Sequence, residues 1–371
     1  MAIEKKRILH AIRQGKVGGG ETHVLDLVNQ LDKEKYESVI LSFTEGPMVD
    51  KLKADGFATF VINTEKPFNF TIWNEVKQLI SAQKIDLIHA HGTRANSNTF
   101  FSAKSLKIPL LYTVHGWSFH PDQNPAVKFI RSASERFLVN VANKTICVSQ
   151  SNLVEGKGKF PMKNAVVIAN GINRDKFNPD KEFKNIRSEF QISKEVTLVG
   201  YIARITHQKS PLTFLKAIDA INNKENLKFL IVGDGDLKAD MLALAKELNL
   251  EQHIIFVDFR SDIPEILSAV DIFCLPSLWE GLPIALLEAM SMRKTIVASN
   301  IDGITDLIVH NSNGLLIEPN DVKGIADAIT LLAADKDLSE KLGLAAENTV
   351  KEKFNVGLMT KKIEQVYQEF I

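Results

Sequence analysis

The chain has 371 residues, enough for two or three domains, and 45% of them are hydrophobic, as in an ordinary soluble globular protein. Lysine plus arginine and aspartate plus glutamate balance at 45 each, so no net charge draws the protein toward nucleic acid. The two cysteines, Cys147 and Cys274, each lie in an apolar run and predict buried thiols, which excludes a disulfide framework or a cysteine-based metal cluster.

The N-terminal segment Met1–Arg7 leads into one short apolar stretch. This stretch is too short for the core of a signal peptide or for a membrane-spanning helix. We therefore expect a cytoplasmic protein.

Short apolar runs alternate with amphipathic stretches along the first half of the chain. The runs predict strands, and apolar residues that recur every three or four positions predict helices between them. The predicted strands are Arg7–Ile12, Ser38–Phe43, Thr59–Ile62, Asp86–Ala90, Leu110–Val114, Thr145–Val148 and Val166–Ile168. The predicted helices include Trp73–Ala82 and Ala126–Val141.

A second series of the same kind follows a charged, loop-like break near Asn173–Lys194. Its predicted strands are Val196–Ala203, Lys228–Val232, His253–Val257, Asp271–Leu275, Thr295–Ala298 and Gly314–Ile317. Its predicted helices include Leu212–Ile221 and Asp236–Leu248, and Glu340–Ile371 is mostly helical by pattern.

Buried strands alternating with helices are typical of doubly wound parallel α/β sheets. We therefore predict two Rossmann-like domains, residues 1–172 and 173–354, with a C-terminal helix at about 355–371 that packs back on the first. Because ligands of such sheets bind at the carboxyl ends of the strands, we expect a site in a cleft where the two domains face each other.

Two glutamates follow the predicted strand at 271–275. Glu280 lies at the end of a loop, and Glu288 lies in the helix whose first residue is predicted to be Pro283. Backbone amides near Gly281 and Leu282 would favour an anion, and the carboxylates could accept hydrogen bonds from hydroxyl groups. A sugar nucleotide offers both, although two solvated carboxylates at a helix end would give the same spacing.

A loop with two cations follows the first strand of the second series. Arg204 leaves a buried strand directly, and Lys209 follows in the same loop. Together they can neutralise a diphosphate, although two surface charges are the alternative. The next strand ends at Gly233 and Gly235, which allow a tight turn beside a nucleotide, and Asp236 is predicted to be an N-cap residue rather than a metal ligand.

Two groups in the first half also follow strands. Gly18, Gly19 and Gly20 let the backbone approach a ligand closely and leave amides free for phosphate, although a flexible turn explains them equally well. Their spacing is not that of the dinucleotide fingerprint. His115 comes directly before Gly116, and a lone histidine in such a place is more often structural than functional.

The run SLWEGLPIALLEA at residues 277–289 resembles the donor-site signature of retaining glycosyltransferases of family 4, which have the GT-B fold. The other segments occur in that family's order. The resemblance implies transfer of a sugar from a nucleotide-sugar donor, with a UDP-sugar favoured, to a glycan or lipid-linked acceptor in surface polysaccharide or glycolipid synthesis. It also implies that no metal or other cofactor is needed.

The resemblance further assigns roles to individual residues. Arg204 and Lys209 would bind the diphosphate and stabilise charge on the leaving nucleotide, and His115 would contact the sugar. Glu288 would bind the ribose hydroxyls and Glu280 the sugar hydroxyls. No residue stands out as a covalent nucleophile, so a front-face displacement is implied, in which the leaving phosphate helps to deprotonate the acceptor.

Three alternatives compete with this interpretation. The first is a sugar-nucleotide epimerase on the same scaffold. The second is a non-catalytic subunit that binds a sugar nucleotide, against which the intact set of polar residues argues. The third, a nicotinamide-dependent oxidoreductase, is disfavoured because neither half carries the dinucleotide fingerprint.

A peripheral contact with a membrane is a further hypothesis. Lys128, Arg131 and Arg136 lie among apolar residues in a predicted helix, as in helices that lie on a membrane surface. The alternative is an ordinary amphipathic helix that packs on its own domain.

Overall fold

The computed structural model describes residues 4–15, 18–120 and 123–371, so Met1–Ile3 of the N-terminal segment lie outside the described residues. The chain divides into two compact units. Unit 1 is the chain up to Gly171 together with Val356–Ile371, and unit 2 is Ile172–Asn355.

The described part of unit 1 contains a parallel sheet of seven strands. The strands are β1 (Lys6–Ile12), β2 (Tyr36–Ser42), β3 (Ala58–Val61), β4 (Leu87–His91), β5 (Leu110–Val114), β6 (Lys144–Cys147) and β7 (Ala165–Val167). The helices of this unit are α1 (Gly19–Gln30), α2 (Pro47–Ala54), α3 (Trp73–Ala82), α4 (Thr93–Leu106), α5 (Pro125–Val141), α6 (Gln150–Lys157) and the C-terminal α14 (Val356–Gln368).

Unit 2 contains a six-stranded parallel sheet. Its strands are β8 (Thr197–Ile202), β9 (Leu227–Val232), β10 (Ile254–Val257), β11 (Ile272–Leu275), β12 (Thr295–Ser299) and β13 (Leu315–Ile317). Its helices are α7 (Ile186–Glu189), α8 (Pro211–Ala220), α9 (Lys238–Glu247), α10 (Ile263–Ala269), α11 (Ile284–Ser291), α12 (Val322–Ala334) and α13 (Lys336–Lys353).

The two sheets share one strand order. It is β3-β2-β1-β4-β5-β6-β7 in unit 1 and β10-β9-β8-β11-β12-β13 in unit 2. In both, the order reverses beside the first strand of the unit, and loops at such a switch point diverge to leave room for a ligand. The predicted pair of doubly wound parallel sheets is therefore confirmed, and the predicted strands agree with the structure to within two residues at each end.

The sheets are covered by helices whose apolar faces pack on buried strands, which is why the strands read as apolar runs. In unit 1 part of this cover comes from the end of the chain. Buried residues of α14 join those of β1, β4 and α1 in one hydrophobic cluster, which includes Ile8, Leu27, Leu87, Met359, Ile363 and Tyr367. The Tyr367 hydroxyl also lies 2.7 Å from Nδ1 of His89 in β4.

Both cysteines are buried, as predicted. Burial raises the pKa of the Cys147 thiol to about 12. Among the residues that the structure describes, no helix combines the length and the apolar character needed to cross a membrane.

Candidate functional site

The predicted site residues fall into two groups, one in each unit. Gly18, Gly19, Gly20 and His115 lie in unit 1, and all the others lie in unit 2. In each unit the group lies at the carboxyl ends of strands beside the switch point.

In unit 2 the loop after β8 meets the loop after β11. Arg204 is exposed two residues beyond the end of β8. Leu278 donates its backbone N–H to the Gln208 carbonyl at 2.8 Å, and the Gln208 amide donates to the Trp279 carbonyl at 2.8 Å. These two bonds hold the loops together, and they explain why Lys209 and Glu280, which are distant in sequence, become neighbours.

Lys209 and Glu280 form a direct ion pair at this junction. The side chains are only 13% and 6% exposed, so little water screens the attraction. Oε1 of Glu280 accepts the bond from Lys209 Nζ and a second bond from the Ser277 hydroxyl at 2.7 Å. The predicted cation and carboxylate are therefore brought together, and the cation is already partly neutralised.

Glycines make the junction sterically possible. A Cβ atom on Gly233, whose φ is +150°, would lie 2.0 Å from the Ala203 carbonyl oxygen, and one on Gly235 would lie 2.2 Å from that of Ile205. Both glycines thus let the turn after β9 pack against the backbone on either side of Arg204. Gly303, with φ at +81°, allows the same close approach to the carbonyl oxygens of Glu280 and Gly281.

The helix that carries Glu288 begins one residue later than predicted. Pro283 is its N-cap rather than its first helical residue, and α11 begins at Ile284. Gly281 and Leu282 are buried directly before the cap, and Glu288 is half-buried within the helix. The backbone of Gly281 and Leu282 thus lies just before the N-terminal end of a helix, which favours an anion.

The expected role of Asp236 as an N-cap is wrong. Helix α9 begins at Lys238, its N-cap is Leu237, and no side chain caps it. Leu237 donates its backbone N–H to the Ile205 carbonyl at 3.0 Å, which links the start of α9 to the Arg204 loop. The Asp234 side chain instead accepts the backbone N–H of Gly235 at 2.9 Å, a bond within the turn after β9.

In unit 1 the three glycines begin helix α1. Gly18 is its N-cap, has an extended backbone and offers no capping side chain. A Cβ atom on Gly20 would lie 3.4 Å from Cδ2 of His115, so the glycines give the imidazole room beside the helix start. The structure thus brings together Gly18–Gly20 and His115, which were two separate predictions from the sequence.

Four further histidines surround His115 in unit 1. His10 is in β1, His89 and His91 are in β4, and His23 is in α1. Ring centroids of His23 and His115 lie 4.8 Å apart, and those of His91 and His115 lie 5.6 Å apart. None of these four was singled out from the sequence, although the His-Ala-His alternation in β4 places two imidazoles on one face of the sheet.

Burial keeps these imidazoles neutral at pH 7. It lowers the pKa of His23 to about 4, against the opposing effect of the hydrogen bond with Asn170, and that of His10 to about 3. Burial, followed by the proximity of His23 and Arg13, holds the pKa of His115 well below its usual value. A neutral His115 can both donate and accept a hydrogen bond, as a sugar hydroxyl requires.

Two family models together match most of the chain. The model described as Glycosyltransferase Family 4 matches residues 17–176, and the one described as Glycosyl transferases group 1 matches residues 182–349. The two matches thus correspond to the first and second series of strands.

Two relatives are similar over most of their length. The UDP-Gal:α-D-GlcNAc-diphosphoundecaprenol α-1,3-galactosyltransferase of Escherichia coli is 29% identical, over 99% of this chain and 98% of its own. The N,N'-diacetylbacillosaminyl-diphospho-undecaprenol α-1,3-N-acetylgalactosaminyltransferase of Campylobacter jejuni is 28% identical, over 84% and 86%.

Among solved structures, the fold is similar to that of HepE from Anabaena in complex with UDP-glucose. The TM-score is 0.87 at 21% identity, and the match covers 98% of this chain and 99% of the other. This likeness concerns the fold.

Proposed function

Because the chain belongs to the family 4 glycosyltransferases of the GT-B fold, we propose that it moves a sugar from a UDP-sugar to a lipid-linked acceptor, with retention at the anomeric carbon and without a metal ion. The observation that carries this proposal is the ion pair of Lys209 and Glu280 at the switch point of unit 2, formed by the loop after β8 that also carries Arg204. A cation for a diphosphate and a carboxylate for hydroxyl groups meet there.

In this proposal the two cations, Arg204 and Lys209, bind the diphosphate of the leaving nucleotide. Arg204 is exposed and can form two parallel bonds to phosphate oxygens, whereas Lys209 acts as a point charge. Charge that develops on the departing nucleotide is stabilised by these groups and by the amides near Gly281 and Leu282. Glu280 orients the sugar through its hydroxyls, and Glu288 accepts bonds from the ribose.

His115 binds the donor sugar rather than the diphosphate. Its neutral imidazole contacts a sugar hydroxyl without adding charge near the reacting carbon. With no covalent nucleophile assigned, the acceptor attacks from the face that the nucleotide leaves, and the departing phosphate takes up the acceptor's proton. A glycosyl–enzyme adduct trapped on a carboxylate would contradict this mechanism.

The names of the two relatives support the choice of donor and acceptor. Both relatives are named for acceptors linked to diphosphoundecaprenol, and the first is named for a UDP-sugar. The decisive experiment offers a panel of UDP-, GDP- and ADP-sugars, with and without undecaprenyl-diphosphate-linked N-acetylglucosamine. We expect transfer with a UDP-sugar, an α-linked product by NMR, and no loss of rate with EDTA.

Matched variants make this experiment specific. Arg204→Ala and Glu288→Ala should lower transfer at least a hundredfold, whereas Lys361→Ala, an exposed lysine in α14, should leave it unchanged. Turnover of the donor to an epimer without acceptor would favour the epimerase. Binding of UDP without transfer or slow hydrolysis would favour a non-catalytic subunit.

We also propose that α5 rests on an anionic membrane surface, where a lipid-linked acceptor would be reached. Phe129 is 75% exposed and Ile130 63% exposed on this helix. Arg131 and Arg136 are exposed beside them, and the helix's one acidic residue, Glu135, is buried and bonded to the Tyr112 hydroxyl at 2.8 Å. The outward face is therefore apolar and cationic, which suits anionic lipid headgroups.

Co-sedimentation with vesicles tests this surface. The chain should bind vesicles that contain phosphatidylglycerol, should bind purely zwitterionic vesicles weakly, and should be released by salt. The double substitution Phe129→Ser and Ile130→Ser should abolish binding, whereas Phe259→Ser, which removes a phenylalanine 53% exposed in unit 2, should not. Equal binding by both variants would contradict the proposal.

A further inference from the structure

Three imidazoles converge in unit 1 from three separate elements. His91 is the last residue of β4, His115 follows β5, and His23 lies in the first turns of α1. Strands β4 and β5 are paired in parallel, with His91 opposite Thr113. One ligand nitrogen from each of the three histidines lies within 4.8 Å of the other two.

Two of these imidazoles have a buried nitrogen that meets no hydrogen-bond partner. Nδ1 of His23 lies 3.0 Å from Oδ1 of Asn170, an acceptor, so Nδ1 carries the proton and Nε2 carries the lone pair. That Nε2 is buried without a partner among the described residues, and so is Nε2 of His91. Buried polar atoms of this kind call for an explanation, and coordination of a cation is one.

The neighbouring grouping of His10, His89 and His91 is a weaker candidate. Both nitrogens of His89 are already engaged, Nδ1 by the Tyr367 hydroxyl and Nε2 by the Thr113 hydroxyl, each at 2.7 Å. His89 therefore has no lone pair to offer and acts as a structural link to α14. In the grouping that contains His115, Nε2 of His23 has no partner, and Nε2 of His115 lies 3.4 Å from Nδ1 of His91, so a bound cation would replace the hydrogen bond between those two rings.

The surroundings fit a cation. Asn170 holds His23 in the tautomer that presents Nε2, which is the usual arrangement behind a metal-bound histidine. The nearby guanidinium of Arg13 is opposed by the buried carboxylate of Glu21, whose Oε1 lies 3.8 Å from Nε of Arg13. Imidazole ligands suit zinc, cobalt, nickel and copper far better than magnesium or calcium.

We propose that His23, His91 and His115 form a site for a borderline transition-metal ion such as Zn²⁺ or Co²⁺, with the fourth coordination position open to water or an added ligand. All three residues of this site belong to unit 1, whereas the diphosphate-binding loops belong to unit 2. The ion is not needed for sugar transfer.

A second step rests on the proposed function. If His115 contacts the donor sugar, an ion that takes its lone pair withdraws it from that contact. The bound metal is then an inhibitor of transfer, and removing the ion restores the rate. Metal availability would in this way regulate an enzyme whose chemistry needs no metal.

Titration of the untagged full-length chain with Co²⁺, followed by visible absorption, tests the site independently of any activity. We expect one ion per chain, displaced by Zn²⁺. His23→Ala and His115→Ala should each weaken binding at least tenfold, and Asn170→Ala should weaken it about tenfold because His23 loses its orientation. His253→Ala, a histidine before β10 in unit 2, is the matched control and should bind as the parent does.

Melting temperatures and circular dichroism of the metal-free variants separate lost binding from lost folding. His115→Gln, at a half-buried position, provides a second variant if His115→Ala unfolds. Absence of binding by the folded parent, or equal affinity in the parent, His23→Ala and His115→Gln, would overturn the site.

Transfer assays with added Zn²⁺ test the second step. EDTA should reverse the inhibition. Half-maximal inhibition of His23→Ala should need at least tenfold more Zn²⁺ than that of the parent, when the rate of each protein is expressed relative to its own metal-free rate. Stoichiometric binding without inhibition would overturn the regulatory step alone. A chain that shows no transfer at all would count against the proposed function, while the Co²⁺ titration would still decide the site.

Discussion

At the residue scale, one carboxylate oxygen of Glu280 is engaged before any ligand arrives, and the other has only a 3.5 Å contact with the Gln208 amide. Its Oε1 serves both Lys209 and Ser277, and the pair is largely shielded from water. Loss of one partner from such a pair leaves a charge without compensation in a place of low dielectric. A phosphate that reaches Lys209 must therefore replace Glu280, at least partly, as its counterion.

A double-mutant cycle measures this pairing. Lys209→Met and Glu280→Gln should each lower the free energy of unfolding by about 2–3 kcal/mol, because each strands one charge. The double variant should lose less than the sum of the two, with a coupling energy of about 1.5–3 kcal/mol by urea denaturation. Additive losses would mean that the two side chains do not stabilise each other.

Lys294 shows the opposite situation, a cation that is poorly compensated. Burial lowers its pKa to about 8, partly opposed by Asp271, and the nearby Arg187 and Arg293 lower it further. The folded-state pKa is thus below the unfolded value of 10.5. The unfolded chain binds more protons between these two values, so stability rises as pH increases from about 8 to 10.5.

Lys294→Met should therefore stabilise the protein at pH 7. The pKa shift corresponds to about 3 kcal/mol, and partial exposure of the side chain reduces the expected gain to about 2 kcal/mol. Urea denaturation should show the gain at pH 7 and its loss by pH 10.5. Lys361→Met, on the exposed face of α14, should give the same small change at both pH values. A pH-independent gain in Lys294→Met would contradict the assignment.

At the element scale, the turn after β9 fixes the loop after β8. Ile205 donates its backbone N–H to the Asp234 carbonyl at 2.9 Å, and its own carbonyl accepts from Leu237 at 3.0 Å. The glycines on either side of Asp234 are needed because two backbones pass at a distance that no side chain allows. The position of Arg204 thus depends on a different strand from its own.

Gly235→Ala should displace this loop. Its new Cβ would collide with the backbone of Ile205, so we expect a loss of about 1–3 kcal/mol in stability and weaker UDP binding by calorimetry. Gly158→Ala is the control, because its nearest atom would lie at 3.4 Å, and it should change stability by less than about 0.5 kcal/mol. Unchanged UDP affinity in Gly235→Ala would mean that Arg204 does not bind the diphosphate.

The sequence predicted these elements because periodicity and strand-end position are local properties. The boundaries of β5 and α3 are those expected, and Gly233, Gly235 and Arg204 do lie together. The partners across the fold were not predictable in this way. Gln208 and Gly303 meet Glu280 only because separate loops converge, and neither carries a periodic signal.

The imidazole cluster illustrates the same limit. His23, His91 and His115 are separated by tens of residues, and each alone looks structural. Their convergence depends on the strand order, which places β4 between β1 and β5. A single sequence indicates that strands pair in parallel, but it does not give the side-chain rotations that bring three ring nitrogens together.

At the scale of the whole molecule, the last helix completes the first unit. Ile363 is fully buried in the cluster that α14 forms with β1, β4 and α1. A cavity left by truncation of this side chain would weaken elements more than 250 positions away in the chain.

Ile363→Ala should therefore destabilise unit 1 by about 2–5 kcal/mol. Hydrogen exchange followed by mass spectrometry should show faster exchange in β1 and β4, because those strands lose the packing of α14. Lys362→Ala, the exposed neighbour on the same helix, should leave protection unchanged. Equal exchange in β1 for both variants would mean that α14 does not support the sheet.

This contribution of α14 has a consequence for how the protein is made. A ribosome synthesises the strands of unit 1 first, yet the helix that covers part of their sheet is synthesised only after the whole of unit 2. All of unit 2 is therefore translated while an apolar surface near Ile8 and Leu87 is still uncovered. A stalled or prematurely terminated chain would present that surface to chaperones and proteases, so truncated products should be removed rather than accumulate.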